Sequence, residues 1–317
     1  MPGRVQSHEP AVAEPPPAAW VRTPEEVVAR TRMVPSSVRG FGVEPKLAQK
    51  VCGVGPQLLE QLLDLGLPSR KIGGQRTFDG VDLANVAVHL GLPSLQLHVI
   101  GLWGRTLEAA CSGPTARYEI EYQARCAHCQ KPGGSYTFFV PPGRRAVTRG
   151  GRPYRMDVER PTEWPALPAA VAPITKFLSE FWIWGLPEQL RNDLGFARET
   201  RLGGCSTAAM LVNEKGAEEG LEMRLRFGLM LVVAYASGHY WNEVRVGDEW
   251  VPYDPFLLQT LIRHTGLDPV EWPETRSPGA LLAPMGDRYR ELATHNGHSM
   301  PSAIETRVYS DDAAGAG

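Results

Sequence analysis

The sequence predicts an α+β protein, and three observations carry that prediction. A dense apolar run, Leu229 to Ala236, is followed by two β-rich stretches that meet at Gly247-Asp248, the pattern of consecutive antiparallel strands. A helix-forming run, Ala208 to Val212, follows Gly203-Gly204-Cys205 with no strand between them. Near the N-terminus, leucines recur at helical spacing in Pro56-Gln57-Leu58-Leu59-Glu60-Gln61-Leu62-Leu63.

The 317 residues exceed one compact domain of ordinary size, and a 43% apolar content supplies a buried core. The formal charge of −2 gives no broad attraction to nucleic acid or to an anionic membrane, and neither is expected as a partner. The first 30 residues lack a basic start followed by an apolar run, and no apolar stretch approaches the ~20 residues of a spanning helix. The expected location is the cytoplasm. Five cysteines, Cys52, Cys111, Cys126, Cys129 and Cys205, are too few and too scattered for a disulfide framework, so reduced thiols are expected.

Five segments follow along the chain. Residues 1–45 are rich in Pro and Ala and read as largely disordered, apart from a short helix over Thr23 to Arg32 with Thr23 as N-cap, Pro24 at N1 and Glu26 at N3. Residues 46–93 read as a small helical module, with one helix from Pro56 stopped at Gly66 and a second over Asp82 to Leu90. The pair faintly resembles a helix-turn-helix, but its basic residues are few and do not share a face, which favours packing or partner docking. Residues 94–163 read as a β-rich module, with period-two alternation in Tyr118 to Tyr122 and a β-rich run from Ser135 to Val140. Residues 164–300 are expected to form the catalytic domain and 301–317 a C-terminal tail.

Cys205 is expected at the N-terminus of a helix, entered through a sharp Gly203-Gly204 turn. Unpaired backbone N–H groups there favour a thiolate and can donate to an oxyanion. The Gly247-Asp248 turn, as a two-residue hairpin, pairs Val246 with Glu249 and brings Trp241 opposite Asp254. His239 then lies two residues along on the same face, a diagonal neighbour of Asp254 at ~7–8 Å between backbones. A three-residue loop would put the two on opposite faces. A carboxylate beside an imidazole fixes its tautomer, and an imidazole beside a thiol activates it. Cys205, His239 and Asp254 are therefore the candidate catalytic residues.

These blocks resemble the transglutaminase-like superfamily: Gly203-Gly204-Cys205, then His239-Tyr240-Trp241-Asn242-Glu243, then Trp250-Val251-Pro252-Tyr253-Asp254-Pro255. The resemblance spans about residues 170–260. It implies a papain-like core, a nucleophile helix packed on an antiparallel sheet. It also implies Cys205 as nucleophile, His239 as general base and acid, and Asp254 as the orienting group. An oxyanion donor upstream of the nucleophile is implied as well, for which Trp182, Trp184 and Gln189 are candidates. Trp241 is a further candidate for the substrate site. Asn213 to Leu221 departs from the family as a longer, polar link.

The chemistry expected is acyl transfer through an acyl-enzyme on Cys205. The donor would be an amide or a thioester, borne on a peptide, a protein or a carrier, and the acceptor an amine. The alternatives are a cysteine protease or amidase with water as acceptor, and an inactive binding module that keeps the fold. No cofactor is required for this chemistry. Cys126 and Cys129 supply half of a structural zinc site. Unliganded thiols, zinc and a disulfide all remain open for the pair. His295 and His298 read as exposed loop residues.

Overall fold

A computed structural model describes residues 21–124, 126, 134–300 and 302–309, and within them the protein is α+β. The readings of Met1 to Ala19 as disordered, of Cys129 as half a metal site and of Asp311 to Gly317 as tail lie outside the described residues. The chain divides into two compact units, residues 1–101 with 263–266, and residues 102–262 with 267–317.

In the first unit, α1 (Pro24–Thr31) opens on the expected capping box, with the Thr23 hydroxyl accepting from Glu26 N–H and the Glu26 carboxylate accepting from Thr23 N–H. Then come β1 (Phe41–Val43), α2 (Pro45–Cys52) and α3 (Pro56–Asp64). The segment after α3 is not helical. It forms a hairpin, β2 (Arg70–Ile72) and β3 (Gln75–Asp79), which completes a three-stranded sheet in the order β1-β3-β2. Gly73 and Gly74, both at positive φ, make its two-residue turn, which the helical reading of 46–93 passed over. Asp79 caps α4 (Gly80–His89), accepting from Val81 and Asp82 N–H.

Residues 94–163 hold both helix and sheet. Leu95 to Ala110 is helix α5, capped by the Ser94 hydroxyl on Leu97 N–H. Leu97, Ile100, Gly104, Leu107 and Ala110 are among its buried positions, which is helical spacing rather than alternation. The strands follow as β4 (Thr115–Ala124), β5 (Ser135–Val140), β6 (Arg144–Arg149) and β7 (Tyr154–Pro161). β4 and β5 belong to different sheets, so the Cys126 segment joins two sheets and is not the tip of a hairpin. Among the described residues no group of three or more His, Cys, Asp or Glu is placed to hold a metal ion.

Next come α6 (Ala172–Ser179), β8 (Trp182–Ile183), α7 (Leu194–Thr200), β9 (Leu202–Gly203) and α8 (Cys205–Glu218). Asn213 to Glu218 of the polar stretch are the end of α8, which leaves only Glu219 to Glu222 as the link to the next strand. The chain then gives β10 (Met223–Val232), β11 (Ala234–Val246), β12 (Glu249–Tyr253) and α9 (Pro255–Thr265). It ends with β13 (Leu282–Gly286), β14 (Ala293–His295), β15 (His298–Ser299) and β16 (Ser302–Tyr309). Ser302 to Tyr309 falls in the span expected as tail, yet it is a full sheet strand paired along its length with β4. Its Ile304 and Thr306 are buried on one face, the alternation of a half-buried strand.

The main sheet runs β13-β10-β11-β16-β4-β7, with β12 paired to β11. A second sheet runs β15-β14-β5-β6. One apolar core lies between α6, α8 and the β11–β12 hairpin, where Ile174, Leu178, Leu211, Val212, Val244, Val251 and Tyr253 pack together. Burying each such side chain is worth about 1.5–3 kcal/mol, which fixes α8 on the sheet. The Tyr253 hydroxyl shares a 2.8 Å hydrogen bond with Thr175 and ties α6 to the strand that leads to Asp254.

Candidate active site

Gly247-Asp248 is a two-residue turn, and β11 pairs β12 in the register read from it, from Val246 with Glu249 to Asn242 with Tyr253. Alternation puts His239 and Trp241 on one face, where their rings stack 16° from parallel. Asn242 and Val244 lie on the other, toward α8. His239 Nε2 lies 2.6 Å from Asp254 Oδ2, with both side chains buried. The second oxygen of Asp254 accepts from Leu257 N–H at 2.9 Å and caps α9. Asp254 is thereby fixed by a helix start on one side and presented to the imidazole on the other.

Cys205 is the first residue of α8, and Gly204 before it gives no side-chain cap. Gly204 thus supplies no side-chain acceptor to the first-turn N–H groups, which is the arrangement that can donate to an oxyanion. The entry is not the sharp turn expected of two glycines. Gly203 lies in β9, and Gly204 is extended at φ −103°. What sets the entry is a parallel pairing of β8 with β9, which lays Trp182 and Ile183 beside Leu202 and Gly203. Hydrogen bonds from Ser206 and Thr207 hydroxyls to the Arg191 carbonyl fasten the first turn from the other side.

The thiol of Cys205 lies beside the imidazole of His239 and the backbone N–H of Tyr240, and both act on its charge. Tyr240 can do so because that edge of β11 is open. β16 pairs it only at Ala234 and Tyr235, and β12 only from Asn242 onward. With Nε2 held by Asp254, the ring nitrogen left for the thiol is Nδ1.

The electrostatics follow from these contacts. Burial pushes the Cys205 thiol up, but the His239 charge and hydrogen bond and the Tyr240 N–H outweigh it, and the net shift is downward. Burial pulls the His239 imidazolium down, but the Asp254 carboxylate and then the Cys205 thiolate outweigh that, and the ring is raised to about 10. Opposite shifts in a neighbouring thiol and imidazole favour the thiolate–imidazolium form of the pair. Two other thiols behave in the reverse way. Burial pushes Cys52 up, and burial likewise pushes Cys111 up against a smaller opposing pull from Arg276. Iodoacetamide near neutral pH is therefore expected to alkylate Cys205 well before Cys52 or Cys111, read by peptide mass; equal labelling of the three would remove the activated thiol.

The remaining candidates are placed as follows. Trp182 and Trp184 flank the strand that leads to Cys205, edge to face at 6.2 Å, with Trp182 on β8. Trp184 is buried and its N–H donates to the Gly203 carbonyl. Gln189 is exposed on the short Glu188–Leu190 turn. Cys126 is a partly exposed free thiol. His295 is fully buried, stacked on Tyr136 at 4.1 Å, and not the exposed loop residue expected, whereas His298 is exposed.

Two residues of the site were not singled out from the sequence. Asn242, 1% exposed, donates to the Ala209 carbonyl at 2.9 Å and clamps the second turn of α8 to β11. Gly228, paired with His239, makes room for the Trp241 ring. A Cβ there would collide with the Ala283 carbonyl and come within 2.7 Å of Trp241. Gly228→Ala should cost about 1–3 kcal/mol of stability, seen as a lowered denaturant midpoint. An unchanged midpoint would show that the sheet yields there without strain.

No family model matches the sequence, and no curated protein matches it. A solved structure of a proposed cysteine protease from Cytophaga hutchinsonii is similar at 12% identity, over 62% of this chain and 91% of that chain, with a TM-score of 0.27. A likeness at that score bears on neither fold nor activity.

Proposed function

We propose that the protein is a cysteine-dependent acyl-transfer enzyme with a papain-like, transglutaminase-like core and a Cys205–His239–Asp254 triad. The observation that carries this reading is the buried pair in which Asp254 holds His239 Nε2 at 2.6 Å, with the same imidazole coupled to the thiol of Cys205 at a helix start. A nucleophile, a proton carrier and an orienting carboxylate are the parts that activated-thiol chemistry requires.

The Cys205 thiolate attacks the donor carbonyl, and the first-turn N–H groups of α8 receive the developing oxyanion. The bond between the acyl carbon and the donor's leaving atom breaks, and the His239 imidazolium gives that atom its proton. The acyl group then sits on Cys205. An amine attacks it, His239 takes up the proton of the amine, and the thiolate is released. Asp254 keeps Nε2–H in place so that Nδ1 faces the reacting atoms throughout.

The pH dependence follows in sign. Acylation rises as pH climbs through the lowered Cys205 range, because only the thiolate attacks. It stays level while the imidazolium persists. It falls as pH approaches about 10, where His239 loses the proton it must donate. A rate that instead keeps rising through the ordinary thiol range would indicate an unpaired cysteine.

The test is intact-mass detection of an acyl group on Cys205 after exposure to thioesters and glutamine peptides, followed by a chase with an amine and, separately, with water alone. Amine-dependent loss of the adduct with formation of the amide supports transfer. Equal loss in water identifies a thiol hydrolase. Absence of any adduct under single-turnover conditions with every donor overturns the reading.

A further inference from the structure

A second feature of the residue 102–317 unit lies on the sheet β15-β14-β5-β6. A cavity of about 550 Å³ is lined by Arg145, Arg288 and Arg290, with Glu291 as its acidic member and Thr137 and Phe139 in its wall. The pairing explains the assembly. Phe139 pairs with Arg145, and Thr137 pairs with Thr294, so β5, β6 and β14 turn these residues to one face. Arg288 and Arg290 come from the connection between β13 and β14, and Arg290 lies over the Phe139 ring at 4.7 Å. Arg145, Arg288 and Arg290 are exposed, and none forms an ion pair among the described residues. Three guanidinium groups against one carboxylate leave net positive charge in a concave site.

The cavity is linked to the nucleophile by direct contacts. Tyr289, between the two arginines, packs on Phe227 at 5.3 Å, and Phe227 packs on Tyr240 at 5.1 Å. The Tyr289 backbone lies beside the Tyr240 hydroxyl. The Tyr240 backbone in turn lies beside the Cys205 sulfur. A run of packed rings thus joins Tyr289, between the two arginines, to Tyr240, whose backbone lies beside the thiol. Guanidinium forks match phosphate oxygens in pairs, and concentrated positive charge in a cleft draws polyanions.

We propose that this cavity binds the phosphate-bearing end of the acyl donor, a thioester whose acyl end reaches Cys205 along the Phe227–Tyr240–Tyr289 run. This rests on the acyl-transfer reading above. The transfer is balanced within the pair: the C–S bond of the donor breaks, a new C–S bond to Cys205 forms, and the donor's thiol leaves with the His239 proton.

The proposal separates from that reading by two measurements on the full chain. The first is calorimetric binding of coenzyme A to the wild type, Arg145→Ala, Arg288→Ala and Glu291→Gln. Binding should weaken about tenfold or more in each arginine variant, tighten in Glu291→Gln and be displaced by inorganic pyrophosphate. Tightening in one variant cannot come from loss of fold. No binding, or equal binding in all four proteins, overturns the proposal. The second is the rate of Cys205 acylation by acetyl-coenzyme A, acetyl-4′-phosphopantetheine and S-acetyl-N-acetylcysteamine, which carries no phosphate. The phosphate-bearing thioesters should react at least tenfold faster in the wild type and lose that advantage in the arginine variants. A preference for acetyl-coenzyme A over the phosphopantetheine thioester points to a free nucleotide donor, and equal rates point to the single phosphate of a carrier. Equal rates with all three thioesters overturn the proposal and leave the acyl-transfer reading standing. Arginine-dependent binding with no acylation of Cys205 by any thioester overturns the donor assignment together with the catalytic reading.

Discussion

Replacing Cys205 with alanine should reduce turnover by about 10⁴-fold or more, on the order of 5 kcal/mol of transition-state stabilisation. In the proposed mechanism the loss comes from removing the atom that would form the covalent bond, which no neighbouring group replaces. Ser206, the next residue, directs its hydroxyl to the Arg191 carbonyl at 2.9 Å and not to His239. The substitution should leave the fold intact, because alanine suits the first turn of a helix and the core around Leu211 and Val212 does not depend on the sulfur. The measurement is steady-state turnover of the best donor–acceptor pair, with circular dichroism to verify folding. Retention of more than a tenth of the wild-type rate by a folded Cys205→Ala protein would rule out covalent catalysis at this residue.

Asp254→Asn should be the second largest loss, about 10²–10⁴-fold in turnover with little change in stability. Asparagine keeps an oxygen for the Leu257 N–H, so the cap of α9 survives. On the other side it offers an NH₂ where the carboxylate accepted from His239 Nε2. The imidazole then accepts at Nε2 and carries its proton on Nδ1, which makes it a donor to the thiol and no longer a base for it. The imidazolium also loses the carboxylate that holds its range high. The effect should fall on the rate and its pH profile, with His239 returning toward its ordinary range, more than on donor binding. A full rate in Asp254→Asn would show that His239 is oriented by something else.

The parts of this structure that were legible in the sequence are those set by local rules. The capping box at Thr23 fixed the start of α1 through residues three apart. The Gly247-Asp248 turn set the β11–β12 register, and with it the diagonal relation of His239 to Asp254, because side-chain facing in a hairpin follows from loop length alone. The helix behind Cys205 was legible from Ala, Met and Leu in sequence.

What stayed hidden depends on partners far along the chain. β8 and β9 are two residues each, and only their parallel pairing makes Trp182 a strand residue beside the nucleophile. Leu95 to Ala110 is rich in Leu, Val and Ile and was read as sheet, although Ser94 signalled a helix start. Ser302 to Tyr309 carries the alternation of a strand, but its neighbour β4 is remote in sequence, and the segment was read as tail. The opening for the Tyr240 N–H exists only because β12 and β16 both stop short of it. Arg145 and Arg288 share a cavity because β5 and β6 meet the chain near β14, and nothing in either local sequence marks that meeting.

The most direct measurement is the thiolate ultraviolet absorbance of Cys205, taken as the difference between the wild type and Cys205→Ser across pH, in proteins with and without His239→Ala. With His239 present, the thiolate should already be formed below the ordinary thiol range. A second change should appear near pH 10, where the imidazolium gives up its proton. In His239→Ala the thiol should titrate higher, because burial is then opposed only by the Tyr240 N–H. A Cys205 that titrates as an ordinary thiol, at the same pH whether or not the imidazole is there, would contradict the ion pair and the chemistry built on it.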